Sequence, residues 1–179
     1  MLAVERAYVE AATAPPTQAL TTMDDAARMQ RARAAAGAVA SRFLAVGTPR
    51  SMGLVSDAAH AEEAALSIEA HGCWFTPTDL RVFGGALAGC RETSLAEALA
   101  CDIVCIHVPI DLVVAQLRRG THVNVLCALP INAELAQFAM VVRESPDLSQ
   151  MAAGFVDGRQ LDEITVFALG DAAIAYAAV

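Results

Sequence analysis

The feature that most restricts how this chain can fold is a series of apolar runs, each parted from the next by a stretch of helical periodicity. They are Met52 to Val55, Asp79-Leu80-Arg81-Val82-Phe83, Asp102 to Val108, His122 to Cys127 and Phe138 to Val142. Strands apolar on both sides must be covered on both faces, and helices alternating with strands provide that cover over a parallel sheet. The chain therefore reads as α/β, a three-layer domain with a mostly parallel sheet, preceded by N-terminal helices. A short helix is predicted over Leu2 to Ala12, ended by Pro15-Pro16, and a long one from the N-cap Asp24 to Ala45, stopped by Gly47 and Pro49. In the long helix Met29, Ala32, Ala36, Val39, Ala40 and Phe43 form one apolar stripe. Ala58 to Ala70 reads as the helix after the first strand, apolar at Ala61, Ala64, Ala65 and Ile68. Leu95 to Ala100 reads as a short helix, Asp111 to Leu117 as a helical turn or two, Ala133 to Gln137 as helical, Ile164 to Phe167 as a short sixth element and Asp171 to Val179 as a closing helix. The division expected is an N-terminal helical extension over 1–22 and one domain over 23–179.

Composition removes several classes of function. With 179 residues, 56% of them apolar, the chain can bury one substantial core. No run of 18 apolar residues is free of charge, so no membrane span is expected. Glu5 and Arg6 interrupt the place where a signal peptide is apolar, and the five cysteines Cys73, Cys90, Cys101, Cys105 and Cys127 lack a disulfide-scaffold spacing. A cytoplasmic location with reduced thiols is the expectation. Residues 1–50 hold six Arg against four acids, a balance of +2, and the remainder six Arg against sixteen acids, −10. A net charge of −8 with no lysine argues against nucleic acid as a partner.

After the first strand comes Ser56-Asp57-Ala58-Ala59-His60-Ala61, opening a helix. A dinucleotide-binding turn needs glycine here, because the tight turn and the approach of the pyrophosphate leave no room for a Cβ. Asp57 also places negative charge at the helix N-terminus, which favours the helix and repels a phosphate.

Several segments together resemble the ornithine cyclodeaminase and μ-crystallin family. They are Ala36 to Ala45, Gly53-Leu54-Val55 with His60-Ala61, Asp102-Ile103-Val104, Arg119-Gly120-Thr121-His122-Val123-Asn124, and Asp162-Glu163-Ile164-Thr165-Val166-Phe167, the last two being the most specific. The similarity spans residues 23–179, and Val4-Glu5-Arg6-Ala7-Tyr8 resembles an N-terminal helix of the same family. The resemblance implies a Rossmann-like domain of an NAD-dependent enzyme whose relatives are nearly twice as long, the additional part carrying the dimerisation sheet and much of the substrate pocket. Against that pattern, the paired glycines of the phosphate turn fall on Ser56 and Ala58, and the ribose-binding acid on Gly84. The catalytic Asp falls in Cys127-Ala128-Leu129-Pro130, and the Arg that grips a substrate carboxylate on Ala32, between Arg31 and Arg33. The chain is accordingly expected to be a truncated, degenerate member. It would be a pseudoenzyme without a bound cofactor, acting by protein–protein contact as a regulatory, scaffold or accessory subunit, with NAD(H) the cofactor if the turn still binds.

Rival readings keep specific residues in play. If the switch-point pocket still works on an amino acid or imine, or senses a small ligand, His107 and Asp111 are the acid or base. Cys101, Cys105 and His107 lack a second close pair of ligands and are not read as a metal site. His122 is read as structural, His60 as solvent-exposed at the broken turn, and Ser56, Ser94 and Ser145 as lacking a nucleophile motif. The interface is placed on the long helix at Arg28, Met29, Arg31, Val39 and Phe43, with Arg42 on the Arg face, against a second copy or another protein.

Overall fold

The structure is a computed structural model that describes residues 22–129, 131–143 and 163–169. The helices expected over Leu2 to Ala12 and Asp171 to Val179, and all but the last residue of the 1–22 extension, lie outside the described residues. Seven strands, β1 (Ser51–Val55), β2 (Asp79–Phe83), β3 (Arg91–Glu92), β4 (Ile103–Ile106), β5 (His122–Val125), β6 (Ala139–Arg143) and β7 (Ile164–Ala168), form one sheet in the order β3-β2-β1-β4-β5-β7-β6. Every pairing is parallel. The helices are α1 (Thr22–Leu44), α2 (Ala61–His71), α3 (Leu95–Leu99) and α4 (Ala133–Phe138). This is the α/β, Rossmann-like arrangement expected of alternating apolar strands and helices.

Alternation along each strand sends successive side chains to two separate cores. Val104, Ile106, Val123, Val125 and Val166 join Leu99 of α3 and Leu135 of α4 on one face. Ile103, Cys105, Leu54 and Phe167 join Ala36, Ala40 and Leu44 of α1 and Ala64 of α2 on the other. At the sheet's opposite end from the strand C-termini, the Asp102 carboxylate accepts from the amides of Arg50 (2.8 Å) and Ser51 (2.9 Å) and from the Ser51 hydroxyl (2.8 Å), and pairs with Arg118. The starts of β1 and β4 are thereby tied together by one carboxylate.

The segment from Asp111 to Leu117 holds one 3-10 turn, Val114–Gln116, with Leu112 and Leu117 drawn into the core. Three local expectations change. Ala58–His60 is also 3-10, and the α-helix proper starts at Ala61. On α1 Ala36 and Ala40 of the expected stripe are buried together with Ala34, Ala38, Ser41 and Leu44, while Met29 is 56% and Phe43 50% exposed. Side-chain size, not hydrophobicity, chose that face: Gly37 lies against the Asn124 and Leu126 side chains, and a Cβ there would sit 3.3 Å from each. On α2 Ala65 is exposed while Ser67 and His71 are buried, because a polar partner for each lies beneath the helix. The two-residue strand β3 is too short to leave a periodic signal.

Helix α3 starts at a capping box, Ser94 with Glu97, and crosses so close over β1 that a Cβ on Gly53 would lie 2.0 Å from the Ala98 carbonyl oxygen. Gly53→Ala must push the helix off the sheet, and we expect a loss of about 2 kcal/mol or more in a urea unfolding curve. Wild-type stability in that variant would show that α3 sits farther from the sheet.

Candidate functional site

In open α/β sheets ligands bind beyond the strand C-termini where the strand order reverses, here between β1 and β4. The turn leaving β1 is organised by Asp57. Its Oδ1 accepts from the amides of Ala59 (2.9 Å) and His60 (3.0 Å) and from the His60 ring Nδ1 (2.7 Å). The hydrogen bond from His60 is the main reason the carboxyl is held below the usual carboxylate range. The amides that an incoming phosphate would use are therefore already bonded to an anion belonging to the chain. His60, expected to be solvent-exposed, is part-exposed and engaged in this pair.

Next to the turn, the strand end of β2 closes on it. The Ser56 amide donates to the Phe83 carbonyl at 3.0 Å. Gly84 has φ +87°, and a Cβ there would lie 2.1 Å from the Ser56 carbonyl oxygen; at Gly85 it would meet the Asp57 backbone at 3.3 Å. Glycine at 84 is thus dictated by backbone conformation and by contact. The position from which an acid would reach a ribose is occupied by main chain.

His107, one residue past β4, is 3% exposed. Its amide donates to the Val55 carbonyl at the end of β1 at 2.8 Å, while its ring lies beneath α2, where Nε2 is 3.3 Å from the Ser67 hydroxyl and Nδ1 is 3.9 Å from the Glu63 carboxylate. No hydrogen bond reaches that Nδ1. Glu63 also accepts from the Gln30 amide at 3.2 Å, and its carboxyl is lowered first by the His107 imidazole. Asp111, the other predicted acid or base, is exposed and is not brought to His107. Glu63 takes that place. It was not legible as a partner because its distance from His107 is set by the packing of α2 on β4.

Below this cluster the α1/α2 side of the sheet carries a continuous buried polar chain. Asn124 donates to Ser41 Oγ at 2.8 Å, Ser41 bonds His71 Nε2 at 2.9 Å, and His71 Nδ1 donates to the Ser67 carbonyl at 2.7 Å. In the other direction Asn124 Oδ1 bonds His122 Nε2 (3.0 Å) and His122 Nδ1 bonds Thr165 Oγ1 (2.7 Å). His122 is structural in this sense, and the chain links α1, α2, β5 and β7. Cys105 lies beside it, 3.5 Å from Asn124, with its thiol pushed up to about 12 by burial. Cys101 belongs to the core on the opposite face. Among the described residues no group of three potential ligands is placed to hold a metal.

Burial also lowers His71 to about 4, so at neutral pH it is uncharged and accepts from Ser41. A folded-state value below the unfolded 6.5 means that the unfolded chain binds the proton first. Stability is complete above pH 6.5 and is lost as pH falls toward 4, by about 3 kcal/mol in all. Urea midpoints measured from pH 7.5 to 4 should show this slope and His71→Gln should flatten it. An unchanged slope in the variant would remove His71 from the account.

No protein-family profile and no curated protein matches the sequence. Solved structures do match. An archaeal alanine dehydrogenase dimer with bound NAD is similar at 19% identity and a TM-score of 0.57, over 82% of this chain and 62% of that one. The iminosuccinate reductase of Paracoccus denitrificans in complex with NAD+ is similar at 15% and 0.59, over 82% and 61%. A lysine cyclodeaminase, in a structure describing recognition of L-lysine, L-ornithine and L-2,4-diaminobutyric acid, is similar at 18% and 0.55, over 82% and 57%. The chain spans about 60% of the length of these structures. No described helix is long and apolar enough to cross a membrane. The α/β Rossmann-like fold of these dehydrogenases, reductases and cyclodeaminases is the fold of this chain.

Proposed function

We propose that this protein is a non-catalytic relative of the NAD-dependent enzymes whose fold it shares, acting through protein–protein contact as a regulatory, scaffold or accessory subunit. The observation that carries this reading is the Asp57 carboxylate on the Ala59 and His60 amides. A second anion brought to the same amides would face a fixed negative charge and find its donors taken. Gly84 and Gly85, pressed on Ser56 and Asp57, remove the ribose contact as well. The residues present do not fit a dinucleotide. The segment Cys127-Ala128-Leu129-Pro130, where the resemblance puts the catalytic Asp, holds no acid, and its Cys127 thiol is pushed up to about 11 by burial, so it is neither nucleophile nor base at neutral pH.

A second reading rests on His107. A buried imidazole with one ring nitrogen unbonded and a carboxylate 3.9 Å away is a possible acid–base pair at the place where small ligands bind in this fold. This would serve a small enzyme of amino-acid or imine metabolism, or a sensor. It lacks an identifiable anchor for a carboxylate, since Ala32 stands where the resemblance puts Arg. The non-catalytic reading is therefore preferred.

Calorimetric titration with NADH and NADPH should give no heat of binding. A dissociation constant at or below about 100 μM, near −5.5 kcal/mol, would overturn the proposal. Asp57→Gly frees the amides but leaves Gly84 and Gly85 against the turn, so it too should stay without NADH affinity. Strong binding by that single variant would show that only the carboxylate blocks the pocket.

A further inference from the structure

Helices α1 and α2 lie side by side over one face of the sheet and run in the same direction. Gln30 bonds Glu63 near their starts and Ser41 bonds His71 near their ends. Their outward faces differ in sign. On α1 the exposed Arg31 and Arg42 flank the half-buried Ala32, Ala35 and Val39, with the exposed Phe43 at the end. On α2 the exposed residues are Glu62, Ala65 and Glu69. Between the helices runs a groove of about 290 Å³, floored by Ala34, Leu66 and Ala70 and edged by Arg31 and Glu69. A basic stripe with an apolar seam therefore lies parallel to an acidic stripe with a small apolar seam.

From this arrangement we infer that the partner of the α1/α2 face is a second copy of the same chain, related by a two-fold axis parallel to the two helices. Such an axis lays α1 of each copy along α2 of the other. By the levels that the Gln30–Glu63 and Ser41–His71 bonds fix, Arg31 lies within one turn of Glu62 of the second copy, Ala35 within one turn of its Ala65, Val39 at the level of its Glu69, and Arg42 within one turn of that Glu69. Each contact occurs twice, as a two-fold interface requires. The other in-plane axis, perpendicular to the helices, sets α1 on α1 and brings Arg31 toward Arg42, like charge on like charge. Charge complementarity thus selects a homodimer and one geometry for it. The small side chains at the centre let the helices approach closely, while the exposed Arg and Glu form a rim that sets register more than affinity. This inference rests on the proposed function, in which the protein works by contact.

The full chain should sediment as a concentration-dependent dimer that weakens as salt is raised. Arg31→Glu with Arg42→Glu makes both stripes acidic, and Glu62→Arg with Glu69→Arg makes both basic. Each double variant should be monomeric, at least about tenfold weaker in self-association, while melting like the wild type. An equimolar mixture of the two should recover the dimer, because every pair across the two-fold axis is then opposite in sign. A wild type that stays monomeric to roughly 100 μM, even if it binds another protein on this face, overturns the inference. So does a dimer indifferent to both charge reversals, or variants that do not recover when mixed. NADH titration in the same preparations tests the proposed function separately, so either can fail alone.

Discussion

The architecture hangs on the hydrogen bond between the Asn124 amide and the Ser41 hydroxyl. It joins the centre of the sheet to α1 at 2.8 Å, in a place where Gly37 leaves the helix almost in contact with the strand. Ser41 then passes the connection to His71, and so to α2. An apolar interface tolerates sliding by a fraction of a turn. A chain of directional bonds under two helices does not, because any shift leaves a buried polar atom unpaired at a cost of about 1–3 kcal/mol. Among the described residues the other face of the sheet is held mainly by aliphatic packing. The two faces of one sheet therefore obey different rules, one fixing position and the other supplying bulk burial.

What that rigid platform presents at its ligand edge is a site filled by its own atoms. Asp57 satisfies the turn's amides, Ser56 bonds to β2, and Gly84 turns away at positive φ. The consequence is local order without an external ligand, where a dinucleotide-binding turn depends on a bound phosphate to satisfy its donors. At the neighbouring strand end the Nδ1 of His107 is buried without a hydrogen bond, beside Glu63.

Much of the fold was legible because its signals are local and cumulative. β2 falls over the residues predicted, and β1, β5 and α1 within one or two residues at each end, since apolar runs and helix stops at Gly47 and Pro49 are written in sequence. The turn was legible for a similar reason: the absence of glycine at Ser56 and Ala58 has a direct steric meaning. The buried polar chain was not. Ser41, Ser67 and His71 look like surface residues until Asn124 and His107 are placed beneath them, and that placement depends on strand order and helix packing together. The same limit misled the α1 stripe. Hydrophobicity favoured Met29 and Phe43, whereas the close approach to β5 demanded the smallest side chains.

The contact between Gly84 and the Ser56 carbonyl also bears on how such a chain can change over time. A side chain at position 84 is excluded while the Ser56–Asp57 turn keeps its present course, and the turn keeps that course while Asp57 caps the helix. Each residue is neutral or favourable only in the presence of the others. Opening this turn to a phosphate would require the carboxylate, the turn and the strand end to change together, because any one of them changed alone meets the other two in their present places.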